Sequence, residues 1–233
     1  MKAFIYTYQR ARTSCRRALL VFLLLACLVI PLFGCVNTVD YSDCVSELRD
    51  NVFLAEQDGF SLRIYAVKKE TPYITDGIPQ ESTSRLEAYL QTPNGAETCL
   101  LTFSAHGKTY QDEMSFDNVK CEYYYSRSMD VSTLSEIKCE IKHGETTVQL
   151  TAKSVRDEHT LSPTQVLNQL HEKESELFEK MTDKYGFAGE IYLRLLYEDA
   201  PYYYVGIIER DATVHAFLIN AQTGKIIAKR ESK

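Results

Sequence analysis

Five histidines, His106, His143, His159, His171 and His215, are the side chains here best suited to proton transfer or metal binding. Their spacing supports neither role. His171-Glu172 opens like a zinc-protease helix, but Ser175 stands four places on where the second histidine would be needed. His106 and His143 each precede a glycine and read as polar turn residues. No Gly-x-Ser-x-Gly elbow and no phosphate-cradling glycine loop occurs. Asp112, Glu113 and Asp117 cluster, yet they lack the glycine and spacing of a calcium loop and read as a solvated acidic loop. No catalytic residue, metal or cofactor can be assigned. A carboxylate or histidine pair that meets only in space stays open, so an extracellular hydrolase built from dispersed residues is the alternative reading.

The tyrosines carry a different kind of chemistry. Tyr123, Tyr124 and Tyr125 are consecutive, as are Tyr202, Tyr203 and Tyr204, and both triplets fall in strand-like segments. Neighbouring side chains of a strand face opposite ways, so each triplet divides between core and surface. Outward tyrosines combine an apolar ring with a polar tip, which suits contact with a ligand. The bland reading is strand propensity alone. All six are ligand-contact candidates, with the outward members the ones that would act.

Seven cysteines complete the reactive set. Cys44, Cys99, Cys121 and Cys139 form an even group that could close two disulfides outside the cytoplasm, in any of three pairings. The competing reading, which the strand pattern favours, is buried thiols: Cys99 shares parity with Leu101 and Phe103, and Cys139 with Ile137 and Ile141.

The first 35 residues give an address. Lys2, Arg10, Arg12, Arg16 and Arg17 form a basic leader without Asp or Glu, and an apolar run from Ala18 to Phe33 ends at Leu32-Phe33-Gly34-Cys35. The run falls short of the roughly 20 residues that span a bilayer and contains Pro31. Leu-x-Gly-Cys resembles the lipobox of bacterial lipoproteins, which implies cleavage before Cys35 and acylation of its thiol. Phe33 departs from that pattern, where a small residue is usual. Leu24-Leu25-Ala26-Cys27 is a second, shorter candidate, and an uncleaved anchor is the competing reading. Both anchor readings place the rest of the chain outside the cytoplasmic membrane.

Five of the 26 basic residues precede Cys35, leaving 21 against 32 acidic ones and a net charge of about −11. Such a surface repels phosphate backbones, which argues against a nucleic-acid partner. A tether, not charge, would hold the chain at the membrane.

These candidates must be positioned by two zones of different pattern. After a tether over residues 36–50, residues 51–156 read as strand after strand. Leu86, Ala88 and Leu90 alternate with Arg85, Glu87 and Tyr89. Asp58-Gly59, Thr92-Pro93-Asn94-Gly95 and His143-Gly144 are the turn signals, the second predicting a tight hairpin into Thr98–Phe103. This zone is expected to be an antiparallel β-sandwich, immunoglobulin-like in architecture only, since the chain has no Trp. Residues 157–233 are expected to form a small α+β domain. Ser162-Pro163-Thr164-Gln165 starts a helix with a capping box. Val166, Leu167, Leu170, Leu177, Phe178 and Met181 mark its apolar face, i,i+4 pairs among Glu172, Lys173, Glu176 and Lys180 support it, and Gly186 ends it. Four strands follow: 190–197, 202–209, 213–220 and 225–229.

The stretch Val214-His215-Ala216-Phe217-Leu218-Ile219-Asn220-Ala221-Gln222-Thr223-Gly224-Lys225-Ile226-Ile227 resembles the closing strand, turn and strand of a PepSY-type module. Asp is more usual at the Asn220 place. The resemblance covers residues 161–231 and implies a secreted or membrane-linked protein that regulates peptidases. Taken together, the sequence predicts a lipid-anchored, outward-facing protein of the cell envelope that binds a protein or peptide partner without catalysis.

Overall fold

A computed structural model describes residues 40–71 and 80–233. The signal segment, Cys27, Cys35 and its lipobox lie outside the described residues. Residues 40–233 form one compact unit, rich in antiparallel β-structure with two short helices.

A 3-10 turn at Tyr41–Cys44, capped by the Asp40 carboxylate, leads into strand β1, Val45–Gln57. Residues 45–50, expected in the tether, are therefore the first half of a strand. Asp58 and Gly59 both take positive φ, 52° and 81°, which matches the right-handed twist of a two-residue hairpin. Strand β2, Phe60–Glu70, returns antiparallel along β1, and β3, Ser82–Gln91, pairs with β2.

The predicted hairpin at Thr92–Gly95 is not one. Strand β4, Cys99–Ala105, pairs with β5, Lys108–Glu113, and with β8, Glu136–His143, but not with β3. Neither Asn94 nor Gly95 has the positive φ that a tight turn demands, and residues 92–98 cross instead from one side of the sheet to the other. Strand β6, Ser115–Asp117, pairs with β7, Glu122–Ser128, which pairs with β3; β9, Thr146–Ser154, pairs with β8 and with β1.

Met114 alone separates β5 from β6, so residues 108–117 run as one strand that leaves β4 and joins β7. That switch nearly closes the sheet into a barrel of eight strand positions. Its interior takes alternate residues from β1, β2, β3, β4, β8 and β9: Phe53, Leu62, Ile64, Leu86, Leu90, Leu101, Phe103, Ile137, Ile141 and Leu150 are all sealed. Each such side chain contributes roughly 1.5–3 kcal/mol by leaving water. Cys99 and Cys139 join them as free thiols, as their parity predicted, whereas Cys44 is half-buried and Cys121 exposed, also free. Asp112 and Glu113 stand in β5, not in an acidic loop.

Helix α1, Pro163–Lys173, starts on the predicted capping box, with Ser162 and Gln165 each bonding the other's backbone N–H. It ends earlier than predicted. Glu174 leaves helical geometry at φ −121° and ψ 36°, a second helix α2 runs Ser175–Lys180, and Gly186 belongs to a small hairpin of β10, Thr182–Asp183, and β11, Gly186–Phe187. The expected Glu176–Lys180 pair falls within α2, yet both lysines find partners elsewhere. Lys173 donates to the Gly224 carbonyl, and Lys180 pairs with Glu209. The helices cover one face of the meander β12, Gly189–Tyr197, β13, Pro201–Glu209, β14, Val214–Asn220, and β15, Ile226–Ser232.

Strand β1 joins the two zones. Its first half lies parallel to β12, with Glu47, Leu48 and Arg49 beside Tyr192, Leu193 and Arg194, and its second half belongs to the near-barrel. An irregularity between Arg49 and Asn51 re-aims it between the two roles. One ladder therefore runs across the 156/157 boundary. Arg156 ties the junction, donating to the Asp50 carbonyl at 2.9 Å and carboxylate at 2.6 Å, while the Tyr203 hydroxyl donates to the Leu161 carbonyl at 2.9 Å.

Candidate functional site

Strand alternation decides which tyrosines can meet a ligand. Tyr123 and Tyr203 are wholly buried and Tyr125 nearly so. Those three candidates are core residues because they share parity with the barrel and helix-facing interiors. The Tyr123 hydroxyl accepts from Glu97 N–H at 2.7 Å, donates to the Glu97 carbonyl at 2.7 Å and lies 3.0 Å from His143 Nε2. His143 is thus an inward residue at the end of β8, where a turn residue was expected. His106 is the turn residue predicted for it, at φ 51°, with Nε2 2.6 Å from the Asp130 carbonyl. Tyr202 sits at the start of β13 and donates to Asp199 at 3.1 Å, and Tyr204 lies 5.9 Å from the Arg194 guanidinium.

Tyr124 has better company. Leu62, Ile64 and Ala66 fill the barrel, so Arg63 and Tyr65 of β2 point outward, together with Arg85, Glu87 and Tyr89 of β3 and Tyr124 and Ser126 of β7; Val67 shares their parity but is buried. Tyr89 stands opposite Tyr124 in register, with ring centroids 5.1 Å apart, and Tyr65 packs edge-on against Tyr89 at 5.6 Å. Three half-buried rings from three adjacent strands thus form a continuous aromatic row. The Arg49 guanidinium covers the Tyr65 face at 3.9 Å, and Lys120 Nζ lies 6.0 Å from the Tyr89 ring. Such cation–ring contacts are worth about 0.5–1 kcal/mol where solvent reaches them.

Charge on this face is ordered by short links. Glu87 accepts from Lys69 at 3.3 Å and from the Tyr89 hydroxyl at 3.3 Å, and Glu122 pairs with Arg63 at 3.1 Å. Burial, then the Glu87 charge, pushes the Tyr89 phenol well above its ordinary range, so it remains a proton donor. Beside the row, Tyr89, Tyr124, Phe116, Asp117, Lys120 and Glu122 line an open cleft of about 420 Å³. Aromatic walls, a lysine at the rim and fixed carboxylates make a contact surface. They offer no nucleophile held by a base.

A second concavity of about 590 Å³ lies where the α1–α2 break faces β14 and β15. His215 Nε2 is 2.7 Å from Glu209 and its Nδ1 3.4 Å from Glu231, while Lys180 also binds Glu209 at 3.0 Å. The His215 and Lys180 bonds hold the Glu209 carboxyl below its usual range. Both ring nitrogens are engaged by carboxylates, so His215 would have to release Glu231, which also lines the groove, to act there as a base.

Among the described residues, no three His, Cys, Asp or Glu side chains are placed to hold a metal, and no helix is long and apolar enough to cross a membrane. The sequence singled out Tyr124, and its alternation placed Tyr89 on the outward side of β3 without making it a site candidate. It missed Tyr65 and Arg49, whose value arises from cross-strand register. Compared with known proteins, the chain matches no family model, no curated protein and no solved structure.

Proposed function

We propose that this chain is a lipid-anchored binding protein of the bacterial cell envelope, outward-facing and non-enzymatic. Its working surface is the outer face of β2, β3 and β7, which contacts a protein or peptide partner. The observation carrying the reading is the Tyr65–Tyr89–Tyr124 row with Arg49 stacked on its end. Tyrosine and arginine supply much of the energy at protein interfaces, because large rigid rings and planar cations gain contact at small entropic cost. Packed cross-strand as they are here, the rings are held in place before a partner arrives.

The anchor is Cys35, acylated after cleavage at the lipobox. Two acyl chains gain about 0.8 kcal/mol per buried methylene and hold the protein stably at the membrane. Cys35→Ala is expected to abolish acyl labelling and leave the precursor uncut; labelling that instead follows Cys27 would move the site. We read the near-barrel as a flattened sandwich, with β2, β3 and β7 in one layer and β4, β8 and β9 in the other. Residues 161–231 we read as a PepSY-like module, on the strength of a helical segment followed by a four-stranded meander.

The face is tested by placing a photo-cross-linking amino acid at position 124 of the full-length chain in cells. A discrete product, identified by mass spectrometry and lost in Tyr89→Ala, is the expected result. The hydrolase alternative draws on the bonded pair His215 and Glu209 beside a groove. A turnover activity abolished by His215→Gln, with folding intact, would establish it in place of binding.

A further inference from the structure

The outer face carries a charge pattern with two unfilled places. Arg194, Lys69 and Arg63 each engage a carboxylate there: Glu47 at 2.7 and 2.8 Å in fork geometry, Glu87 at 3.3 Å and Glu122 at 3.1 Å. Arg49 and Arg85 lie in the same transverse row, since Arg194 aligns with Arg49, Arg49 with Val67 and Val67 with Arg85. Neither makes an ion pair or a side-chain hydrogen bond to another described residue, and the Nε of each is buried without an acceptor. Ser126 Oγ, on the neighbouring strand opposite Glu87, is likewise buried and unpartnered. Buried donors are costly to leave unmet, at about 1–3 kcal/mol each. Three of them on one face mark a place where an acceptor is missing.

We infer that Arg49 and Arg85 are carboxylate seats, and that the tyrosine face takes an acidic peptide segment of its partner. This rests on the binding reading above and names its ligand class. The guanidinium fork matches a carboxylate in two parallel bonds, the geometry that Arg194 and Glu47 already adopt one strand away. The two seats are separated by two strand spacings, about 10 Å, and flank the Tyr65 end of the aromatic row. The chain's overall negative charge does not forbid an acidic partner, because charges beyond about 8 Å are screened at physiological ionic strength.

The test is fluorescence anisotropy of the full chain in detergent with a labelled decapeptide alternating Ser and Glu. Its Ser-Gln counterpart, inorganic phosphate and an oligogalacturonate serve as competitors. The Ser-Glu peptide is expected to bind, the Ser-Gln peptide not, and added salt to weaken the complex. Arg49→Gln and Arg85→Gln should each reduce affinity roughly tenfold or more, and Arg210→Gln on a distant turn should not. Arg85→Lys keeps the charge but removes the fork; it should lose affinity with an unchanged melting temperature, which separates binding from folding. Equal binding of the two peptides, or unaltered affinity in the arginine variants, overturns the inference. Binding of oligogalacturonate or phosphate in place of the peptide overturns its ligand class. If the peptide fails while the cross-link from position 124 persists and depends on Tyr89, the carboxylate seats fall and the binding face stands.

Discussion

Tyr123 and Tyr124 are adjacent in the chain and opposite in consequence. The Tyr123 hydroxyl holds both backbone groups of Glu97, so Tyr123→Phe leaves a half-buried N–H without its acceptor and should cost about 1–3 kcal/mol in denaturant unfolding. Tyr124→Ala removes an outward ring and should stay within about 1 kcal/mol of the parent. The division between them was legible, since period two assigns one face to the core. Which outward tyrosines gather was not, because the row depends on Tyr65, Tyr89 and Tyr124 arriving from strands far apart in sequence. The thiols separate in the same way. Burial pushes Cys99 and Cys139 up to about 12, while Cys121 is exposed. Brief alkylation at pH 8 followed by peptide mapping should find Cys121 modified and Cys99 and Cys139 protected until the protein unfolds. Rapid labelling of Cys139 in the native protein would contradict its place in the barrel.

At the level of elements, β1 has the largest influence because it serves two sheets. Arg156 fastens its irregular centre at Asp50, whose carboxyl burial pushes up and whose charge Arg156 stabilises. Arg156→Met should lower stability by about 1–3 kcal/mol, since Asp50 would stay half-buried without its cation. The matching check is proteolysis, with new cutting near residues 155–161 appearing before the near-barrel is digested. The edge of the meander responds to pH instead. Glu209 is held below its usual range by His215 and Lys180, so its contribution is present above about pH 4.3 and lost as the pH falls through its lowered value. Glu209→Gln should therefore flatten the acid limb of the stability profile. Helix α1 and the four strands of the meander were readable from capping and alternation. The break at Glu174 was not, because the contacts on either side of it, Lys173 to Gly224 and Lys180 to Glu209, use groups supplied only by the fold.

For the whole molecule, the strand-rich pattern was legible in the sequence, while closure of the sheet lay beyond local pattern. Asp58-Gly59 behaved as its residues require. Thr92-Pro93-Asn94-Gly95 carried a hairpin signal yet became a crossover, because β3 is already paired on both edges, with β2 and β7. Likewise, nothing local announces that residues 108–117 change partners at Met114, the step that nearly closes the barrel. The resulting surface has an aromatic row braced by cations on one side of an otherwise acidic chain. The most direct test of its role is the photo-cross-linker at position 124 of the full-length chain in living cells. The binding role predicts one identifiable partner whose capture disappears in Tyr65→Ala and Tyr89→Ala, both of which lose some packing against their neighbours but still melt cooperatively. Capture unaffected by either substitution, or obtained equally from a cross-linker at exposed Ile227 on β15, would contradict it.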